Sequence, residues 1–233
     1  MVYIIISHRD DFETTLKCIY FINKYCENFK IIVIDSSKNK YIYDESIEVL
    51  YQSSPISVTK SWNLGLIRCF SSDDCDAICI IGNDVYLNND IFTIMKPFIN
   101  KFNAFLTPVP NSTDIFNEPV NVMFALGMHC IVAKKSIFAN VGLFNEDFFL
   151  YYQDSDYFER IRLLGMLCLQ INDARCEHIG QSNTRNIYTD KEINIIGNSD
   201  LIKYVNKYPW VNTNKNVRKS IPLSQFLKEY NNI

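Results

Sequence analysis

The amino-acid sequence predicts an α/β protein with a mostly parallel central sheet flanked by helices. Short apolar runs at 2–7, 30–34 and 77–81 are typical of strands buried on both faces of a parallel sheet. Segments with apolar residues at helical spacing separate these runs, and this alternation favours parallel strands joined by helices. Polar residues follow the runs directly, at the sheet edge where such proteins bind ligands.

The elements of the first half follow from two periodicities. Continuous apolar runs indicate strands, and apolar residues three or four positions apart, such as Phe12, Leu16 and Ile19, indicate helices. We predict strands at 2–7, 30–34, 47–51 and 77–81, and helices at 12–25, 58–70 and 89–102.

The second half has a less regular pattern. A loop rich in Pro and Asn lies at 108–119, and the apolar stretch at 120–133 indicates a strand pair or one long strand bent at Gly127. These elements would add a small antiparallel second sheet and a helical C-terminal tail to the central sheet. We predict further strands at 105–109, 166–171 and 174–178, and helices at 134–140, 151–164, 189–207 and 224–230.

Charge and composition exclude some classes of protein. The 23 Lys and Arg residues are outnumbered by 26 Asp and Glu residues, so the chain offers no broad basic surface to nucleic acid. Aromatic residues make up 14% of the chain, and in such number they also provide walls for flat or ring-shaped ligands.

The cysteines and the apolar runs predict a cellular location. The eight cysteines include no C-x-x-C pair and several lie in apolar runs, which favours reduced thiols in an intracellular protein. No stretch approaches the ~20 apolar residues of a membrane-spanning helix. We expect a cytoplasmic protein, soluble or in peripheral contact with a membrane. The abundance of Asn, Ile, Lys and Tyr fits an AT-rich genome, and in a large DNA virus the location would be the host cytoplasm.

Polar residues at the ends of three predicted strands are the first candidates for a ligand site. His8 and Arg9 follow the first strand, Asp35 and Ser36 the second, and Asp84 the fourth. A carboxylate such as Asp84 can hold a divalent cation that bridges phosphates, although the same residue is also common in turns. Each of these residues therefore keeps a structural alternative when it is considered alone.

Two further residues have equally open alternatives. Asn63 lies near the start of a predicted helix in "SWNLG", where its amide could contact a ligand or cap the helix. His178 ends a predicted strand. A lone histidine is more often structural, so His178 is a candidate metal ligand only if the fold places a carboxylate close to it.

The string "GLFNEDFFLYYQDSD" at 142–156 carries the most specific chemistry. Acidic residues at a helix start satisfy free N–H groups and suit the helix dipole. A helix cap does not need the aromatic run that precedes Asp154, however, and this pattern favours an aromatic wall beside a catalytic base. Asp156 is expected to be structural, paired with Arg160 or Arg162 at helical spacing.

Taken in order, the motifs "IIISHRD", "IVIDSS", "SWNLG", "IIGNDVYL", "VGLFNEDFFLYYQDSD" and "EHIG" resemble a known family. The resemblance is to the GT-A-fold nucleotide-sugar glycosyltransferases, especially the inverting family 2 group that includes rhamnosyltransferase-like enzymes. It covers roughly residues 2–180 and rests on the ordered set, because each motif alone is weak. It implies a GT-A domain at 1–185, with a nucleotide-binding half at 1–103 and an acceptor or catalytic half at 104–185, and a helical extension at 186–233 packed on it.

The resemblance also implies roles for individual residues. Asp154 would be the general base that deprotonates an acceptor hydroxyl, while Asp84 and His178 would hold Mn²⁺ or Mg²⁺. The acceptor would lie against Phe148, Phe149, Tyr151 and Tyr152, and the loop at 111–119 would close over the donor. The residues expected to contact the donor nucleotide, with UDP the commonest donor type, are His8, Arg9, Asp35, Ser36, Asn63, Asn83 and Asp84.

The implied function is transfer of a sugar from a nucleotide-diphosphate donor to a hydroxyl of a glycan, glycolipid or glycoprotein, with inversion. Two departures weaken the implied metal site and change the surroundings of the base: Gly82 replaces the first Asp of D-x-D, and Gln153 replaces the Glu of "ED". The alternative is a non-catalytic carbohydrate- or nucleotide-binding protein on the same scaffold. A nucleotidyltransferase would need a Gly-rich basic loop after the first strand, and "SHRDDFETT" contains no Gly.

Overall fold

The computed structural model describes residues 1–111, 118–125, 127–180, 187–211 and 220–230. The predicted alternation of strands and helices is present in the first half of the chain. The elements there are β1 (Val2–His8), α1 (Phe12–Tyr25), β2 (Phe29–Asp35), β3 (Glu48–Tyr51), α2 (Val58–Phe70), β4 (Ala77–Ile81), β5 (Val85–Leu87) and α3 (Ile91–Lys101).

The second half contains more strands than helices up to residue 178, and helices beyond it. Its elements are β6 (Ala104–Pro110), β7 (Val120–Met123), β8 (Cys130–Lys134), α4 (Lys135–Val141), α5 (Gln153–Leu163), β9 (Leu167–His178), α6 (Asp190–Lys207), β10 (Ser220–Pro222) and α7 (Leu223–Tyr230).

All ten of these strands belong to one sheet, in the order β10-β7-β9-β6-β8-β4-β1-β2-β3, and β5 pairs with β9 off this path. Strands β4, β1, β2 and β3 run parallel to one another, and β6 is parallel to β9. The antiparallel pairs, such as β4 with β8, are continuous with this sheet and form no separate sheet in the described chain. The predicted α/β class with a mostly parallel central sheet is confirmed.

Side chains from both faces of the sheet form the core. In β1, Ile4 and Ile6 belong to the cluster on one face, whereas Tyr3 and Ile5 belong to the cluster on the other. This alternation follows from the two-residue period of a strand, and burial on both faces explains why the run contains no polar residue before Ser7. All eight cysteines are buried, as expected for small apolar side chains.

Side-chain caps explain where several helices begin. The Asp11 carboxylate accepts the Thr14 N–H at the start of α1, and the Ser57 hydroxyl accepts the Lys60 N–H at the start of α2. Thr189 and Glu192 form a reciprocal capping box at the start of α6. These caps lie at the starts predicted from the apolar periodicity alone.

The differences from the predicted elements are few. Strands β5 and β10, three residues each, were not predicted, because runs this short have no resolvable period. The two strands expected at 166–178 form the single strand β9, which has a register shift opposite Pro108 and Val109. Most of the Pro- and Asn-rich loop at 108–119 lies outside the described residues, so its predicted closure over a donor stays a prediction.

Among the described helices, none is both long and apolar enough to span a membrane.

Candidate functional site

The carboxyl ends of β1 and β4 open into a pocket of about 660 Å³, and the segment before α5 borders it from the other side. Seven of the predicted site residues line it: Arg9, Asn83, Asp84, Phe149, Tyr151, Asp154 and His178. Because four separate parts of the sequence contribute these side chains, the fold brings together residues that are up to about 170 positions apart.

Asp84 and His178 form the first half of the site. Asp84 lies in the turn between β4 and β5, and the antiparallel pairing of β5 with β9 places Val85 opposite His178. The His178 Nε2 atom is therefore 3.6 Å from the Asp84 Oδ2 atom. The Asp84 side chain is 16% exposed and the His178 side chain 37% exposed, so both groups are accessible from the pocket.

His129 is a third group at this end of the pocket, and it was missed in the sequence. Its ring is stacked on that of His178 with centroids 5.6 Å apart. Its Nε2 atom lies 3.3 Å from the Pro108 carbonyl oxygen and 3.3 Å from the Thr107 hydroxyl. Burial lowers the pKa of His129 to about 4, so the ring is neutral at pH 7.

Gly82 explains how the Asp84 carboxylate reaches its position. A Cβ atom on Gly82 would lie 2.8 Å from the Asp84 Oδ1 atom, so the carboxylate occupies space that any larger residue would take. Asp84 and His178 are oxygen and nitrogen donors suited to a divalent cation. They fit a cation that takes its remaining ligands from phosphate and water; no cluster of three such protein ligands exists in the described chain.

The basic side of the site is provided by Arg9. It is the only Lys or Arg among the described pocket-lining residues, and its Nη1 atom donates to the Tyr188 hydroxyl at 3.3 Å. The Arg9 Nε atom is buried without a hydrogen-bond partner in the described chain, as are the Ser7 hydroxyl and the Gln153 Oε1 atom. Buried polar atoms are seldom left unsatisfied, and all three of these atoms belong to residues that line this pocket.

Asp154 lies in the first turn of α5, two residues after a strained residue. Tyr152 has a φ of 65°, a left-handed conformation that is uncommon outside glycine. The Asp154 Oδ1 atom accepts the Ser155 N–H at 2.7 Å. Burial raises the pKa of Asp154, which makes its carboxylate a stronger proton acceptor than a solvated one.

Helix α6 holds the segment that carries Asp154. The Asp200 side chain is 1% exposed, and its Oδ2 atom accepts the backbone N–H groups of Phe149, Leu150 and Tyr151 at 3.2, 3.0 and 3.1 Å. One carboxylate therefore fixes three consecutive backbone groups on the entrance to α5. Hydrogen bonds to a charged acceptor are stronger than neutral ones, so this contact sets the path of the segment.

Asp156 makes a second connection between α5 and the end of α6. Its Oδ2 atom accepts from Arg160 Nε at 3.1 Å, as predicted, while Arg162 pairs with Glu159 instead. The Asp156 Oδ1 atom accepts from Lys207 Nζ at 2.6 Å and from the Tyr208 hydroxyl at 2.9 Å. Asp156 is thus structural, whereas Asp154 faces the pocket.

His8, Asp35 and Ser36 are buried beside the pocket and do not line it. The His8 Nε2 atom accepts the Asp11 N–H at 3.2 Å, so the ring proton lies on Nδ1, which is 2.6 Å from the Tyr43 hydroxyl and 3.3 Å from Asp35 Oδ1. The Asp35 Oδ2 atom is buried and has no partner in the described chain. A contact between these residues and a nucleotide stays a prediction.

Asn63, Phe148 and Tyr152 also lie apart from the pocket. The Asn63 amide donates to Phe144 O at 3.0 Å and to Glu146 Oε1 at 2.9 Å, and its oxygen accepts the Phe144 N–H at 2.8 Å. Asn63 therefore supports the 144–146 segment in place of either predicted role. Phe148 is 1% exposed, because its side chain packs in a small buried cluster with Tyr204. Tyr152 stacks on the Tyr204 ring at 5.2 Å.

No known family model matches the sequence, and no curated protein matches it. Solved structures do match. The fold is similar to GalNAc-T7 crystallised with UDP, GalNAc and Mn²⁺, with a TM-score of 0.67 and 10% identity over 88% of this chain and 47% of that one. It is similar to residues 1–349 of TarS from S. aureus, with a TM-score of 0.61 and 11% identity over 99% of this chain and 78% of that one.

A third similar structure is the mannosyltransferase PcManGT from Pyrobaculum calidifontis in complex with GDP-Man and Mn²⁺. The TM-score is 0.65 and the identity 12%, over 91% of this chain and 65% of that one. This chain spans about half the length of GalNAc-T7. The similarity confirms the predicted GT-A fold, and at this identity it establishes the fold alone.

Proposed function

We propose that this protein is an inverting glycosyltransferase that uses a nucleotide-diphosphate sugar as donor. The observation that carries the proposal is the pairing of two unlike ends in one pocket. One end has Asp84 and His178, which suit a cation and a diphosphate; the other has the carboxylate of Asp154, whose pKa is raised by burial.

Each group then has a defined role. The acceptor hydroxyl attacks the anomeric carbon from the face opposite the leaving nucleotide, and Asp154 takes its proton as the new bond forms. Arg9 supplies positive charge to the pocket that would hold the phosphates. A divalent cation held by Asp84 and His178 would supply further positive charge to stabilise the leaving diphosphate.

UDP is the nucleotide that we propose for the donor, and a hydroxyl of a glycan, glycolipid or glycoprotein for the acceptor. GalNAc-T7, the match with the highest TM-score of the three, was crystallised with UDP and Mn²⁺, whereas PcManGT was solved with GDP-Man and Mn²⁺. Both nucleotides share the diphosphate that the pocket is suited to hold, so the diphosphate is the part of the donor best supported.

Calorimetric titration of UDP, GDP and dTDP into the purified protein, each with and without Mn²⁺, tests this proposal. We expect one of the three to bind in the micromolar range and at least about tenfold more weakly after chelation, because Asp84 and His178 would hold a cation whose positive charge favours the diphosphate. Failure of all three nucleotides to bind with Mn²⁺ present would contradict the proposal.

The alternative is a protein that binds the donor without turnover. Gly82 favours it, because the pocket lacks the first carboxylate of D-x-D and leaves the cation two protein ligands in the described chain. Asp154 argues against it, because the raised pKa and the position in the pocket suit a general base and are not needed for its hydrogen bond to the Ser155 N–H.

A further inference from the structure

Asp154 also lines a second cavity. It is a groove of about 390 Å³ between the start of α5 and helix α6, within the size range of small-ligand sites. The groove shares only Tyr151 and Asp154 with the pocket described above. It is lined by Tyr151, Tyr152, Asp154, Ser155, Ile193, Asn194, Gly197, Asn198 and Leu201.

We propose that this groove is the acceptor subsite and that it takes a neutral, hydroxyl-rich sugar. The inference rests on the proposed function, since it assigns the second substrate of the same reaction. In an inverting displacement the acceptor approaches from the face opposite the leaving group. The acceptor hydroxyl must lie against the general base as it attacks, so the acceptor is expected in a cavity that Asp154 lines and that adjoins the donor pocket. The groove meets this condition, because it shares Asp154 and Tyr151 with that pocket.

The side chains of the groove determine the chemical class of its ligand. Asp154 is the only charged residue among the described residues that line it, so nothing there would pair with a phosphate or carboxylate of an acceptor. Asn194 and Asn198 are one helical turn apart on α6 and both are exposed. Each amide offers donors and an acceptor together, which matches the hydroxyl groups of a sugar.

Tyr151 provides the apolar surface that a sugar ring also needs. Its side chain is partly exposed, and Gly197 lies directly beneath it: a Cβ atom at that position would lie 3.3 Å from the Tyr151 Cδ2 atom. A glycine inside a helix costs about 0.5–1 kcal/mol relative to alanine. Here it allows the aromatic ring to lie close against α6, as one wall of the groove.

Saturation-transfer NMR with a panel of simple glycosides tests the inference. The probes are the methyl glycosides of glucose, galactose, mannose, N-acetylglucosamine and rhamnose, at millimolar concentration, with the protein saturated by its nucleotide and diamagnetic Mg²⁺. We expect at least one glycoside to give a signal. Asn194→Leu and Asn198→Leu should each weaken its binding at least about fivefold, the effect of one lost hydrogen bond.

Asn206→Leu is the matched control, because Asn206 is an exposed residue of the same helix outside the groove. It should leave the glycoside signal unchanged. Nucleotide binding, measured on the same samples, shows that each variant is folded and separates the two proposals. If the nucleotide does not bind to the wild type, the proposed function is wrong. If the nucleotide binds but no glycoside does, only the proposed subsite is wrong. The same holds if the Asn194 and Asn198 variants bind the glycoside as tightly as the wild type does.

A neutral Ser- and Thr-containing peptide forms the last arm of the experiment. Peptide binding that Asn198→Leu abolishes, with no binding of any glycoside, would overturn the sugar as the acceptor class.

Discussion

Asp154→Asn is expected to lower kcat for sugar transfer by about 10²–10⁴-fold, the usual contribution of a general base. Asparagine has the same shape and cannot accept the proton of the attacking hydroxyl. Donor binding should be nearly unchanged, since Asp154 acts on the acceptor. The measurement is kcat beside the calorimetric Kd of the nucleotide for the variant and the wild type.

The stability of this variant distinguishes a catalytic from a structural role. Because burial raises the pKa of Asp154 above its value in the unfolded chain, the carboxylate at neutral pH disfavours folding. Asparagine does not ionise, so the variant should melt at the same temperature as the wild type or higher. If Asp154 served instead to stabilise the helix dipole at the start of α5, loss of its charge would lower the melting temperature.

The same pKa shift predicts the pH dependence of the wild type. Transfer needs the ionised carboxylate, so activity should fall as the pH drops through the raised pKa of Asp154. That acid limb should lie above about 3.9, the ordinary value for an aspartate. Asp147→Asn is the matched control, because Asp147 is an exposed aspartate of the same segment. Wild-type turnover by Asp154→Asn would remove Asp154 from the mechanism.

Asp84→Ala is expected to have the largest effect on donor binding. It removes the carboxylate nearest His178, and with it the oxygen ligand of the proposed cation site. Even outer-shell partners of a metal cost 10–100-fold in affinity when they are removed, so a direct ligand should cost at least about that much. The measurement is nucleotide Kd in the presence of Mn²⁺, compared with the value after chelation.

The control for this change is Glu177→Ala, which removes an exposed carboxylate adjacent to His178 on β9. It should leave Mn²⁺-supported binding as it is in the wild type. If Asp84→Ala binds the nucleotide with the same affinity as the wild type, both with and without chelator, Asp84 is not a ligand of the cation.

The sequence predicts a helix or strand well where the spacing of its apolar residues matches the set of side chains that the fold buries. The ranges of α1, α2 and β4 match the expected ones residue for residue, because their apolar residues follow one period between clear polar caps. Strand β5 is only three residues long, and β9 continues through a bulge where two strands were expected. Register and bulges depend on neighbouring strands, which a single segment does not encode.

The site is predictable only in part, for the same reason. Asp84, Asp154 and His178 carry local signals, since each follows an apolar run or opens a helix. His129 has none: it reaches the pocket because β8 pairs antiparallel with β4, which places Cys130 opposite Ile81. The role of Asn63 is equally remote, since its partners lie 81 and 83 residues away.

The support of Asp154 by α6 was the least predictable feature. Asp200 lies about 50 residues after the backbone groups that it binds, in a helix whose apolar pattern gives no sign of a buried carboxylate. Long-range polar contacts of this kind are specified by the assembled fold, so only the structure identifies them.

The central claim is that Asp154 and the Asp84 end of the pocket act on one nucleotide sugar. The most direct measurement is a time course by ¹H NMR of the protein with diamagnetic Mg²⁺ and a nucleotide sugar that carries the nucleotide found to bind. Water serves as acceptor when no other is supplied. We predict that the sugar first appears as the anomer opposite to that of the donor, before mutarotation. A retained anomer, or no turnover of a donor that binds, would contradict the account.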